Sequence, residues 1–217
     1  MQPPPMQPPL SPPSPSPAEG RATQPVPLFS PRTRDRVGEL DASADAALDR
    51  LRGHPAADRV FYGASAVFDH SLGWLIIGAL RGLRSEDDWP AALRLGAGVF
   101  IESALVNIGI KSLFRRSRPP WEVERPLPLR RPRTSSFPSG HATAAFTAAA
   151  LLAEDDPLWP VYYAIAVIVA TSRAYVRIHH ASDVVGGVAI GMVLGRAGRR
   201  LVPLPPKSTA RPIGPPA

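Results

Sequence analysis

The chain contains no cysteine, which rules out a disulfide framework and thiolate metal sites and leaves the redox compartment undetermined. Lysine is almost missing too: Lys111 and Lys207 stand against 23 arginines. No strand-like alternation or internal repeat of useful length appears, so helices are the only regular element the pattern supports. The amino-terminal stretch lacks the apolar core of a secretory signal peptide.

Proline, by contrast, is abundant but unevenly placed. The 28 prolines crowd the first 31 residues and the stretch after Pro203. Met1 to about Arg36 is rich in Pro, Ser and Gln with few residues able to form a core, and the spacing predicts a disordered tail there and a second one over 203–217. One domain, 37–202, remains between them. The mean hydropathy near zero therefore hides an apolar middle diluted by two polar ends.

Within that middle, Val37 to Leu51 has helical spacing of apolar residues with Glu39, Asp41, Asp45 and Asp49 interleaved. It is expected as a surface helix, along a bilayer interface or packed on the bundle. Apolar segments follow at Val60–Leu80, Ala91–Ile110, Gly140–Ala153, Leu158–Val176 and Val184–Leu194. The first is interrupted by Asp69 and His70, costly in lipid and so expected to face protein or water. Trp159, Tyr162 and Tyr163 suit an interfacial belt, and the Gly/Ala-rich last segment suits close helix contacts. The fold class expected is all-α: a polytopic transmembrane bundle of about five segments.

Charge gathers between these segments. The net charge is +7, and the stretch from Lys111 to Arg133 holds eight bases against Glu122 and Glu124. A basic loop beside apolar helices suits anionic lipid headgroups, so membrane lipids and a lipid phosphate are the expected partners and nucleic acid is not.

Three short stretches carry the chemistry: Lys111 with Arg118-Pro119; Pro138-Ser139-Gly140-His141; and Ser172-Arg173 with His179 and Asp183. A phosphoryl group in transfer spreads negative charge over three oxygens and needs fixed cations, hydrogen-bond donors and an in-line nucleophile. If a helix starts near Ala181, Asp183 lies one turn beyond His179, where it can hold Nδ1–H and leave Nε2 free to attack. Ser139 is a natural N-cap and Gly140 lets a ligand approach the helix N-terminus. His141 on that first turn can protonate a departing alkoxide and then take a proton from water. The fork of Arg173 suits two phosphate oxygens.

Each residue alone also has a plainer use. Lys111, Arg118 and Arg173 fit as charges flanking membrane segments, His141 as a cap, and the His179–Asp183 pair as a structural bond or half of a metal site. Order and spacing together decide. A Lys, six residues, Arg-Pro; then Pro-Ser-Gly-His; then Ser-Arg, five residues, His, three residues, Asp resembles the type 2 phosphatidic acid phosphatase and vanadium haloperoxidase superfamily over Lys111 to Asp183.

The resemblance implies a metal-free helical-bundle phosphatase acting on lipid phosphates in a membrane, without a cofactor. It implies His179 as nucleophile, His141 as acid and base, and Asp183 as the orienting partner. Lys111, Arg118, Ser139, Gly140 and Arg173 are implied as the phosphate cradle. Phosphatidic acid, a polyprenyl phosphate or diphosphate, and a polyprenyl-linked sugar phosphate share the headgroup chemistry. Asp69-His70 and the loop from Arg125 to Arg133 are where discrimination among them is expected. The Arg/Ala/Pro bias points to a GC-rich bacterium and hence its plasma membrane. The competing readings are a non-catalytic lipid-phosphate-binding membrane protein and a vanadate-dependent haloperoxidase.

Overall fold

The computed structural model describes residues 30–120, 129, 132 and 134–207. The expected tails over 1–29 and 208–217, and nearly all of the Arg125 to Arg133 loop, lie outside the described residues. Among the described residues the regular structure is entirely helical.

Helix α1 (Pro31–Asp49) starts with Pro31 at its first position and Ser30 as N-cap, whose Oγ accepts from the Thr33 N–H at 3.3 Å. It therefore begins inside the stretch expected as tail. It packs on the bundle, the second of the two placements expected for it. Helices α2 (Pro55–Val67) and α3 (Leu72–Gly82) replace the single segment expected over Val60–Leu80 and are bent by 63°. The break falls at Asp69-His70, where His70 and Ser71 take left-handed φ values of 51° and 62°. A polar pair that lipid would penalise thus ends one helix and redirects the chain.

Helix α4 (Trp89–Ala104) runs on through a π-turn at Leu105–Gly109 and a 3-10 turn at Ile110–Leu113. Helices α5 (Gly140–Leu152), α6 (Trp159–Tyr175) and α7 (Ala181–Leu201) complete the chain. Helices α3 to α7 run between two ends of one bundle, with α5 packed against α4, α6 and α7. Helix α2 lies across one end: Tyr175 Oη donates to Asp58 at 2.5 Å, Tyr62 stacks edge-on to Tyr175, and Ser65 bonds Arg173.

Two helical stretches, Glu86–Leu113 and Ala181–Leu201, are long and apolar enough to cross a membrane, or three if the bent pair counts as one. Of the expected bundle of about five membrane segments, the all-helical class is seen, with these two or three candidate spans. At about 1.5 Å per residue, α5 reaches only about 20 Å, short of a bilayer core of about 30 Å. The surface is nonetheless that of a chain facing lipid. Leu93, Phe100, Ile108, Val185 and Val193 are each at least 66% exposed, while Arg81, Arg94, Glu102, Lys111, Arg173 and Asp183 are buried.

The core explains the composition. Ala145, Ala148, Ala149 and Ala166 pack with Trp74, Leu95, Leu152 and Val169 where helices approach too closely for larger side chains. On α7, Gly187, Gly191 and Gly195 form one row against α5. A Cβ at Gly191 would lie 2.5 Å from the Thr143 carbonyl oxygen. The far end is locked by ions: buried Arg81 donates to the Leu152 carbonyl at 2.7 Å and to Asp155 at 2.5 Å, with Asp88 at 3.3 Å.

Gly191→Ala is expected to force α5 and α7 apart and cost about 1–3 kcal/mol, read as a lower unfolding midpoint in detergent. An unchanged midpoint contradicts this packing.

Candidate active site

The three motifs meet at the end of the bundle that α2 crosses. Ser139 is the N-cap of α5, its Oγ accepting from the Ala142 N–H at 3.5 Å. Its own N–H donates to the Asp183 carbonyl at 3.0 Å, which pins the start of α5 to the first turn of α7. Two helix N-termini, each with partial positive charge, therefore meet at the same place; at α7 the His180 and Ser182 N–H groups are taken by Asp183 and Asp41. Gly140 follows directly. A Cβ there would stand 3.5 Å from Lys111 Nζ, so the ammonium lies over the α5 N-terminus.

The π-turn carries Lys111 to that position. An extra residue in the helical turn shifts the register, as π-turns at functional sites do. Lys111 is buried and donates to Asn107 Oδ1 at 3.0 Å. Arg118 is braced by backbone: Nη1 donates to the Ile178 carbonyl at 3.0 Å, and Nη2 to those of Thr134 and Ser135, each at 3.2 Å. Arg173, near the end of α6, is held by Ser65 of α2. Its carbonyl accepts from the N–H groups of Ile178 and His179, each at 3.1 Å, closing the turn that presents His179.

His179 is buried, and its ring is fully oriented. Nδ1 lies 2.7 Å from the Ser136 carbonyl, which can only accept, so Nδ1 carries the proton. The lone pair is then on Nε2, which receives Arg118 Nη1–H at 3.2 Å. Burial pulls the imidazole down to about 4, the nearby Asp183 carboxylate opposes this, and Arg118 and Arg173 push the same way as burial. His179 is thus a neutral ring whose unprotonated nitrogen faces a cation.

Here the geometry departs from expectation in one respect. Asp183 was expected to take Nδ1–H directly, yet its Oδ2 stands 3.8 Å from Nδ1. That carboxylate is already occupied: Oδ2 accepts from Ser136 Oγ at 2.6 Å and the His180 N–H at 2.9 Å, and Oδ1 from Arg116 at 2.6 Å. Asp183 acts on the ring by its charge and through Ser136, whose hydroxyl it holds while the carbonyl of the same residue holds the ring. His180 is the N-cap residue of α7.

His141 lies on the first turn of α5 with its Nε2 3.5 Å from Asp69 Oδ1, beyond any hydrogen bond among the described residues. The interruption at Asp69-His70 therefore sits beside the acid/base candidate. Arg116 lines two cavities, one of about 450 Å³ shared with Arg118 and Thr134, the other of about 300 Å³ shared with Asp41 and His179.

All eight expected residues converge. Sequence reasoning missed Ser136, Arg116 and Asp41. Ser136 acts partly through a carbonyl, which no residue type reveals. Arg116 was one base among eight in its stretch, and Asp41 one of several carboxylates on a helix face. Among the described residues no group of three or more His, Asp or Glu is placed to hold a metal ion.

A helical bundle with such an anion pocket at one rim is the architecture of phosphoryl-transfer enzymes of the phosphatidic acid phosphatase type. The chain belongs to the PAP2 superfamily, whose pattern matches residues 91–205. It is 35% identical over 165 residues to the decaprenylphosphoryl-5-phosphoribose phosphatase of Mycobacterium tuberculosis, covering 75% of this chain and 88% of that protein. With the protein of the same name from Mycolicibacterium smegmatis it shares 34% over 150 residues, 68% of this chain and 80% of that one. The fold is similar to that of a transmembrane PAP2-type phosphatidylglycerolphosphate phosphatase from Bacillus subtilis. There the TM-score is 0.56 at 23% identity, over 80% of this chain and 88% of that one.

The burial of His179 has a consequence for stability. The unfolded imidazole takes a proton below its ordinary 6.5, whereas the folded one refuses it until about 4. Stability is therefore flat above 6.5 and falls with pH across that window, by roughly 3 kcal/mol in all. Unfolding midpoints in detergent are expected to decline between pH 7 and pH 4 less steeply in His179→Gln than in the wild type. Parallel curves would remove the buried neutral ring.

Proposed function

We propose that this protein is an integral membrane phosphatase that hydrolyses the phosphate monoester of a polyprenyl-linked sugar phosphate through a phosphohistidine on His179. The observation that carries the reaction is the fixed tautomer of His179, with Nδ1–H on the Ser136 carbonyl and Nε2 turned to Arg118. A site built only to bind phosphate has no need of a neutral, oriented nucleophile. The substrate class is supported by the two mycobacterial relatives, matched over most of their length.

The steps follow from charge and geometry. Substrate phosphate takes the place of Nε2 as partner of Arg118, and Lys111, Arg173 and the N–H groups at the α5 N-terminus take the remaining oxygens. His179 Nε2 forms the bond to phosphorus as the bond to the ester oxygen breaks. That oxygen receives a proton from His141, whose Nε2 stands 3.5 Å from Asp69 at the same rim. The ring is now cationic, and the Ser136 carbonyl and the Asp183 charge stabilise it. Water then attacks phosphorus, His141 removes its proton, the N–P bond breaks, and inorganic phosphate leaves with His179 neutral again.

The finer topology is part of the same proposal. Helices α3 to α7 form the membrane bundle, with α2 folded across the catalytic end as a re-entrant or interfacial element. Bacterial plasma membrane is the proposed location, in keeping with the bacterial relatives.

Phosphate release from a panel of lipid phosphates by the purified protein in detergent tests this reading. The polyprenyl-linked sugar phosphate is expected to have the highest kcat/KM, His179→Ala to abolish turnover of every substrate, and activity to survive EDTA. Full activity in His179→Ala would remove the mechanism, and a preference for phosphatidic acid would remove the substrate class. Loss in EDTA reversed only by a divalent ion would put a metal in the site.

A further inference from the structure

Helix α1 docks in an unusual way. Surface helices normally bury an apolar stripe, but the buried residue of α1 is a carboxylate, Asp41. Asp41, Asp45 and Asp49 are spaced four apart and share one face. Like charges at that spacing weaken a helix on its own, so the stripe is stable only against cations. It finds them at the rim of the site. Asp45 and Asp49 accept from Arg177 at 3.1 and 2.9 Å, and Arg52 donates to each at 2.6 Å.

Asp41 goes deeper. Its Oδ2 accepts from Arg116 Nη2 at 2.6 Å and from Ser182 Oγ at 2.8 Å, and its Oδ1 accepts from the Ser182 N–H at 2.8 Å. Arg116 Nη1 meanwhile donates to Asp183 Oδ1 at 2.6 Å. One guanidinium therefore bridges two buried carboxylates, one on α1 and one on the catalytic turn. Helix α1 lies outside the residues that match the PAP2 superfamily.

We propose that Asp41 and Arg116 are positioning residues for catalysis, coupling α1 to the Asp183–Ser136–His179 unit; this rests on the phosphohistidine reading above. Arg116 alone would neutralise Asp183 and deprive the cationic phosphohistidine of its counter-charge. Asp41 takes half of the guanidinium fork and restores net negative charge beside the ring. Bridging also fixes the rotamer of Asp183, whose second oxygen holds the hydroxyl of Ser136, the residue whose carbonyl orients His179. The other charged groups facing that ring are Arg118 from the loop before α5, Arg173 from α6 and His141 from α5. They bear on the phosphate, whereas Asp41 and Arg116 stand behind the nucleophile.

A double-mutant cycle with Asp41→Asn and Arg116→Gln, carried out on the full chain in detergent, tests the coupling. Each single variant is expected to lower kcat roughly tenfold or more with KM nearly unchanged, since a bond to a charged group is lost behind the reacting atoms. Asp41→Asn should move the His179 titration to lower pH and Arg116→Gln to higher pH. Both are read by NMR of histidine-labelled protein, with the signal assigned by its absence in His179→Gln. The decisive arm is the pair. If Asp41 acts through Arg116, the double variant is no slower than Arg116→Gln.

Asp41→Glu should recover part of the rate. Asp49→Asn, which loosens α1 without touching the bridge, should keep the wild-type kcat, and unfolding midpoints identify any variant that has merely lost its fold. Wild-type kcat in Asp41→Asn overturns the proposal, as does an undiminished Asp41→Asn effect in the Arg116→Gln background. Turnover by His179→Ala would instead overturn the phosphohistidine reading, so the two failures are told apart.

Discussion

The structure depends on how one carboxylate, Asp183, is kept ionised with no exposure to solvent. A buried charge is tolerable only when its lone pairs are filled by donors and its field is answered by cations. Asp183 is satisfied by four groups from separate parts of the chain: the Ser136 hydroxyl, the His180 N–H, the Arg116 guanidinium and, at longer range, His179. Each donor is positioned in turn by what it binds. Ser136 holds the ring of His179 and Arg116 holds α1. Asp183 also lends its backbone carbonyl to the N-cap of α5. The catalytic turn, the loop before α5 and the N-termini of α5 and α7 are thus parts of one polar network in an apolar bundle.

Such a network needs rigid walls, because a phosphate site tolerates little misplacement of its cations. The walls come from the small residues of α5 and α7. Contact through a row of glycines and alanines lets backbones approach closely and fixes their register. The ionic lock around Arg81 secures the same helices at the far end. The break at Asp69-His70 adds the remaining feature of that rim, a polar corner beside His141 made by turning a would-be continuous helix aside.

Much of this was legible in the sequence, for a physical reason. Apolar runs mark helices, and the side chains that must face an anion cannot be exchanged for others, so Lys111, Arg118, Ser139, Gly140, His141, Arg173, His179 and Asp183 stood out by type and spacing. What acted through backbone or through charge balance was hidden. The Ser136 carbonyl leaves no trace in residue identity. The bend between α2 and α3 depends on two left-handed residues that composition does not announce. The apolar runs do not set the number of spans by themselves, because α5, with 13 residues, is short for a bilayer. The acidic stripe of α1 was visible, but its meaning needed the arginines opposite it.

The proposed function rests on an asymmetry around one ring. Cations stand in front of His179, on the side the proposal gives to phosphate, and carboxylates stand behind it, where the proposed phosphohistidine would carry positive charge. The most direct test is rapid-quench mass spectrometry of the protein mixed with a lipid phosphate, following the peptide that contains residue 179. The account predicts a transient phosphoryl adduct on His179 that appears and decays with turnover and is missing from the alanine variant at that position. An active enzyme that never carries phosphate on that histidine, or carries it on His141 instead, would contradict it.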